Sequence, residues 1–427
     1  MGAAEIHRTI EAVWRIESAR LIAALARITR DVGVAEELAQ DALVAALEQW
    51  PEAGIPDNPG AWLMAAAKHR AIDQLRRRKI QQRKQDALGI EHELRQELAE
   101  EDFEAAVEDE LEDDLLRLIF TACHPVLSTE ARVALTLKLL CGLSSAEIAR
   151  AFLVPEATVA QRIVRAKRTL AEARVPFELP KVPELSARLA SVLEVIYLVF
   201  NEGYSATAGE DWMRPALCHD ALRLGRILAG LAAQEPGVLG LVALMEIQAS
   251  RLHARVGATG EPVLLMDQDR SRWDHVLIER GLAALRRAEG LGGGLGPYVL
   301  QAEIAACHAK ARTGAETDWT RIVALYDALA QIMPSPVVEL NRAVAVAMAF
   351  GPAAGLELVD ALMGEDSLKS YHHLPAVRAD LLMKLGRLDE ARREFERAAL
   401  LTGNARERGL LLERAASCAP QPPATPH

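Results

Sequence analysis

Five side chains within residues 158–168 carry the chemistry of base recognition: Thr158, Gln161, Arg162, Arg165 and Arg168 recur at helical spacing. Arginine donates two parallel hydrogen bonds to the guanine edge and glutamine pairs in the same way with adenine, so such a stripe suits the major groove. A solvated basic face on a helical hairpin is the competing reading, since short patterns of this kind recur by chance. A second set lies upstream. Trp62, His69 and Arg76 are seven residues apart, with Asp73 beside them and Arg77 following, which places a ring and guanidinium groups on one side of a helix. A ring that stacks on a base while cations hold phosphates is the chemistry of single-stranded nucleic acid. Its competitor is a core tryptophan at a helix start with a basic tail.

Other constellations are weaker. Cys123-His124 and Cys218-His219 are half-sites for zinc without a second pair at ligand spacing, so no metal and no cofactor is expected. Asp267, Asp269 and Asp274 cluster with Arg270 and Arg272, which reads as ion pairs and helix caps between repeats or as a metal or substrate site. The segment NEGYSATAG, residues 201–209, reads as a turn around Gly203 or as the lining of a ligand groove. No Ser-His-Asp arrangement, phosphate loop or HExxH pattern is present, so the chain is not expected to be an enzyme.

The elements that must position the two sets are helices. Ser144 and Glu147 form a capping box that starts one helix, a Leu153-Val154-Pro155 turn follows, and Val159, Ile163, Ala166 and Leu170 form the packing stripe of a second. Upstream, Asn58 is placed to cap a helix whose first residue is Pro59 and which runs to about Lys79. An earlier helix, VAEELAQDALVAALEQW, is expected to end at Pro51. Half of the 427 residues are hydrophobic but only 4% are aromatic, and Ala, Leu, Arg and Glu dominate, which favours helix throughout. The net charge of -11 argues against indiscriminate coating of nucleic acid, yet residues 68–84 are strongly basic and residues 91–114 strongly acidic, so a basic footprint can act locally. Five scattered cysteines suit reduced thiols in a cytoplasm, and neither a signal sequence nor an apolar run long enough to span a membrane is present.

The expected organisation is a helical domain over residues 1–84, an acidic linker over 85–114 and a helix-turn-helix domain over 115–175. Prolines at 176, 180 and 183 mark the next boundary, a helical extension covers 181–417, and a disordered tail covers 418–427. Within the extension Gly351 and Gly386 stand in register in two similar helix-turn-helix segments, close to the period of tetratricopeptide repeats.

The segments AEELAQDALVAALEQW, NPGAWLMAAAKHRAIDQLRRRK and LSSAEIARAFLVPEATVAQRIVRAKRTL, in this order, resemble the bacterial sigma factors of the extracytoplasmic-function (ECF) branch. Residues 192–228, together with the repeats after them, resemble the long C-terminal extension of one ECF subgroup. The resemblance implies an all-α protein that binds core RNA polymerase, through the β′ clamp helices and the β flap, and promoter DNA. It implies that Glu37, Gln40 and Asp41 dock on the β′ clamp helices, that Trp62, His69, Asp73, Arg76 and Arg77 serve -10 capture, and that Thr158, Gln161, Arg162, Arg165 and Arg168 serve -35 reading. Many members have Asn at the position of His69 and a basic residue at that of Ala160. The extension is expected to regulate the sigma module, by an intramolecular contact or through a partner protein. The other readings are a helix-turn-helix regulator of another type with a partner-binding repeat domain, and an enzyme housed in the extension.

Overall fold

The computed structural model describes residues 3–71, 107–257, 260–292 and 296–419. They form two compact units, residues 1–196 and 197–427. The described residues are almost entirely helical, and their only named strands pair two residues each, Ala208–Gly209 (β1) parallel to Gly403–Asn404 (β2).

The first unit contains α1 (Ala3–Thr29), α2 (Val32–Ala53), α3 (residues 59–71, as far as the described residues reach), α4 (Val107–Ala122), α5 (Thr129–Leu139), α6 (Ser145–Phe152) and α7 (Glu156–Glu172). Asp31 caps α2 by accepting from Gly33 N and Val34 N at 2.8 and 3.1 Å. Small residues at 35, 39, 42 and 46 are fully buried and let α2 approach α1, whose Leu21, Ile22 and Leu25 are buried with them. Each such leucine contributes roughly 1.5–3 kcal/mol. The helix does not end at Pro51. It continues to Ala53 and stops at Gly54, whose φ of 88° an L side chain rarely adopts. The acidic segment is also not wholly a solvated spacer, because its last residues begin α4. Asp114 there is buried, with Arg27 Nε at 2.9 Å and Arg117 Nη1 at 2.6 Å to neutralise it.

The α8 helix (Val182–Tyr204) begins in the first unit, and the boundary between units falls inside it. Its first half is held there by Arg132, which donates to Ser191 Oγ at 2.5 Å and Glu194 Oε2 at 3.0 Å, and by Arg188, which donates to Phe120 O. Hence the prolines that interrupt the chain before residue 182 do not mark where the first packed unit stops.

In the second unit α9 (Pro215–Leu231), α11 (His275–Gly290) and α12 (Pro297–Lys310) pack on α10 (Pro236–Ala249). The α10 helix is apolar on nearly every side and buried accordingly. Helices α13 (Trp319–Ile332), α14 (Pro336–Phe350), α15 (Pro352–Ala361), α16 (His373–Lys384), α17 (Leu388–Leu401) and α18 (Ala405–Ser417) follow, each packed on the next. Gly351 and Gly386 terminate α14 and α16 with φ of 101° and 75°, the reason glycine recurs in register. Cys418 is not a free tail residue: it is buried in the core built by Leu374, Leu382, Phe395 and Leu411. Residues 420–427 lie outside the described residues.

Candidate nucleic-acid interface

The α6–α7 pair is built as its local chemistry dictates. Ser144 Oγ accepts from Glu147 N at 3.1 Å, and Glu147 Oε2 accepts from Ser144 N at 2.8 Å, which closes the capping box. The turn then passes through Leu153 in the left-handed region, φ 50° and ψ 42°. Val159, Ile163, Ala166 and Leu170 are buried against the rest of the unit. That orientation turns Thr158, Gln161, Arg165 and Arg168 fully to the outside and leaves Arg162 half-buried. Thr158, Gln161, Arg162 and Arg165 line one wall of an open groove of about 420 Å³ whose other wall is the turn before α5, at Val126, Leu127 and Ser128. Arg168 pairs with Glu172 at 3.4 Å, both well exposed, so this pair holds Arg168 only loosely.

Periodicity alone misses Val164. It is 63% exposed on the same outward stripe, between Gln161 and Arg168. An apolar side chain there has no core to join and suits the methyl group of thymine. Its position outside the 159-163-166-170 stripe is a signal already present in the sequence.

On α3, Asn58 Oδ1 accepts from Ala61 N at 3.0 Å and caps the helix. Trp62 is half-buried and lies edge-on to the buried Trp50, with ring centroids 5.4 Å apart and planes at 70°. His69 is exposed. Asp73, Arg76 and Arg77 lie outside the described residues. On α2, Glu37 and Asp41 are exposed and Gln40 half-buried. Val44, also missed by pattern, is 50% exposed on the same side of α2, one turn beyond Asp41.

Between these residues sits Glu36, 3% exposed. Its carboxylate accepts from Gln40 Nε2 and Lys167 Nζ, and Lys138 Nζ is 3.6 Å away. Burial lowers the affinity of both lysines for their protons, opposed by Glu147 at Lys138 and by Asp31 at Lys167. A second link joins Arg15 of α1 to Glu147 of the capping box at 2.7 Å. At a third point Gly142, with φ of 68°, abuts α1, where a Cβ would lie 2.8 Å from Ser18 Oγ. The helix that carries Glu37 and Asp41 is therefore joined to the helix-turn-helix by charge as well as by packing.

Several of the remaining sequence candidates make structural contacts. His124 Nδ1 accepts from Val126 N at 3.1 Å, and burial pushes the Cys123 thiol up to about 11 and the Cys218 thiol up to about 12. Asp274 caps α11 and Asp269 caps a short 3-10 turn, while Arg270 donates to His308 O and Ala311 O. Gly203 is not a turn residue. It sits in the last turn of α8, where a Cβ would lie 2.6 Å from Cys218 N, so its role is close helix approach.

Residues 15–80 match the sigma-70 region 2 family, and residues 117–170 match sigma-70 region 4. Residues 188–289 match a family of unknown function. An uncharacterised protein of Rhizobium meliloti (strain 1021) is 45% identical over 389 residues, covering 90% of this chain and 90% of the relative. No solved structure matches the chain.

Proposed function

The chain belongs to the sigma-70 family, whose members bind core RNA polymerase and recognise promoters, and from that premise we propose that it is an ECF-type factor whose helical extension regulates it. In this reading the outward face of α7 reads the -35 duplex. Arg162 and Arg165 address guanine edges, Gln161 an adenine, Thr158 the flanking backbone and Val164 a thymine methyl; Arg168 supplies charge to phosphates. One good bidentate pair contributes about 1–3 kcal/mol of discrimination. The loop before α3, with Trp62 and His69 and beyond them Asp73, Arg76 and Arg77, receives the melted -10 strand. Extruding a base costs a few kcal/mol, recovered by stacking and by hydrogen bonds to its edge.

Glu37, Gln40 and Asp41 dock α2 on the clamp helices of β′, with Val44 as the apolar contact of that face, and the α4–α7 region reaches the β flap. The factor then acts where the polymerase is, in the cytoplasm. No covalent bond is made or broken; binding energy is converted into strand opening. Core enzyme sets the distance between the two readers, and the Glu36 link must release for that distance to be reached. In this reading the first 84 residues serve polymerase and the -10 strand, the acidic segment leads into α4–α7, which serve the -35 element, and the extension follows the first half of α8.

The observation that carries this reading is the outward stripe of Thr158, Gln161, Arg162, Arg165 and Arg168 on a capped helix-turn-helix, in one unit with the exposed Glu37 and Asp41. Run-off transcription with purified core polymerase on genomic fragments tests it. The expected result is promoter-specific transcripts that fall by roughly tenfold or more in Arg165→Ala; a chain that fails to join core enzyme overturns it. A shortened chain ending after Ile196, which keeps the α8 contacts with Arg132 and Phe120, tests the regulatory role of the extension: unchanged promoter activity would count against it.

A further inference from the structure

Three metal-ligating side chains converge in the second unit where no sequence motif marks a site. His372 and His373 stand at the head of α16, and Glu407 stands in the first turn of α18. One donor atom from each lies within 4.8 Å of the other two. The two imidazole rings are 3.9 Å apart, tilted by 45°. His372 Nε2 is 2.9 Å from Glu407 Oε2, yet this buried nitrogen makes no well-directed hydrogen bond.

We propose that His372, His373 and Glu407 bind one divalent transition-metal ion, with Zn²⁺ the best match, and that the ion fastens the head of α16 to the head of α18. Two imidazoles and one carboxylate are a recurrent zinc set that leaves a fourth position for water. Thr402 Oγ1 donates to Glu407 Oε2 at 2.5 Å, the kind of outer support that orients a metal-ligating carboxylate.

The site is also wired to a segment that promoter recognition leaves unexplained. Asn404 caps α18 by accepting from Arg406 N and Glu407 N, and its Nδ2 donates to Ala206 O at 3.1 Å and to Asp211 O at 2.7 Å. Through β1 and β2 the NEGYSATAG segment is thereby joined to the α18 head that carries Glu407. Binding of an ion would order both ends of this connection. The simplest competitor is a bare histidine–glutamate pair, which needs no metal.

Full-length, tag-free protein stripped with a chelator and titrated with Co²⁺ near neutral pH separates the two. The expected result is a saturable visible absorption from one Co²⁺ per chain, displaced by Zn²⁺, with a rise in Tm on Zn²⁺ addition. His373→Ala and Glu407→Gln should each weaken Co²⁺ binding by at least about tenfold, and His253→Ala, an exposed histidine of the same unit, should not. Glu407→Gln preserves volume, so circular dichroism confirms that its fold is intact. Absence of saturable Co²⁺ binding in the unaltered chain, or binding unchanged in both ligand variants, overturns the proposal.

Discussion

The most deeply buried glutamates of the two units are held differently. Glu246 of α10, 1% exposed, receives a two-pronged hydrogen bond from Arg226 Nε and Nη2 at 2.7 and 2.9 Å, with Arg280 at 3.7 Å. Glu36 of α2 is met by two lysines from α5 and α7. A guanidinium fork fixes direction as well as charge, whereas an ammonium is a point charge on a flexible stem that releases without breaking a fixed geometry. The second unit is therefore locked where its helices stack. The first is tied, between α2 and the α5 and α7 helices, by contacts suited to opening. Lysines already displaced toward deprotonation by burial lower the cost of that opening.

Breaking the lock should have the largest effect. Glu246→Ala removes a buried acceptor and leaves a cavity beside Arg226, whose own side chain is 37% exposed, and we expect a loss of about 2–5 kcal/mol, read as a lowered midpoint in urea unfolding. Acid should act next, and on the second unit above all. Burial, then Arg251 and Arg270, pushes His308 down to about 3 from an ordinary 6.5. The unfolded chain therefore binds a proton across that window that the folded chain refuses. Stability is fully present above about pH 6.5 and falls as pH drops toward 3, by a few kcal/mol at roughly 1.4 per pH unit. His308→Gln should flatten this dependence in pH-jump unfolding followed by fluorescence.

Glu36→Gln is the variant that discriminates between lock and tie. It should destabilise the first unit by about 1–3 kcal/mol while leaving core-polymerase affinity equal or higher, measured by competition binding. A matching loss of polymerase affinity would mean that Glu36 serves docking instead of closure. Arg165→Ala should cost about 1–3 kcal/mol of promoter discrimination with unchanged melting, measured as the ratio of specific to nonspecific Kd. The smallest expected effect is a gain: Leu153→Gly removes a left-handed strain of about 1–2 kcal/mol in the helix-turn-helix, offset in part by glycine's greater freedom when unfolded, and should raise Tm slightly.

Much of the α6–α7 helix-turn-helix was legible in sequence because its determinants are local. A capping box, a turn and a 159-163-166-170 stripe each act within a few residues, and the helix they specify has only one face that can be buried. The same holds for the Asn58 cap of α3. Trp62 shows where local reading stops: the spacing placed it on a face, but only packing against Trp50 decides that it is partly covered. Pro51 inside α2 and Gly203 inside α8 were misplaced because the turn after Pro51 is still closed by Gly54 N donating to Trp50 O, and a glycine can answer to a neighbouring helix instead of its own φ.

By itself the sequence determined the helical class, the order of the two sigma-70 regions and the outward face of α7, because hydrophobic period and capping are properties of short segments. Tertiary structure alone decided that Glu36 meets Lys138 and Lys167, that α8 begins in the first unit, and that His372, His373 and Glu407 come together. These pairs lie tens to more than a hundred residues apart, and their energy depends on distance and burial, which no periodicity encodes.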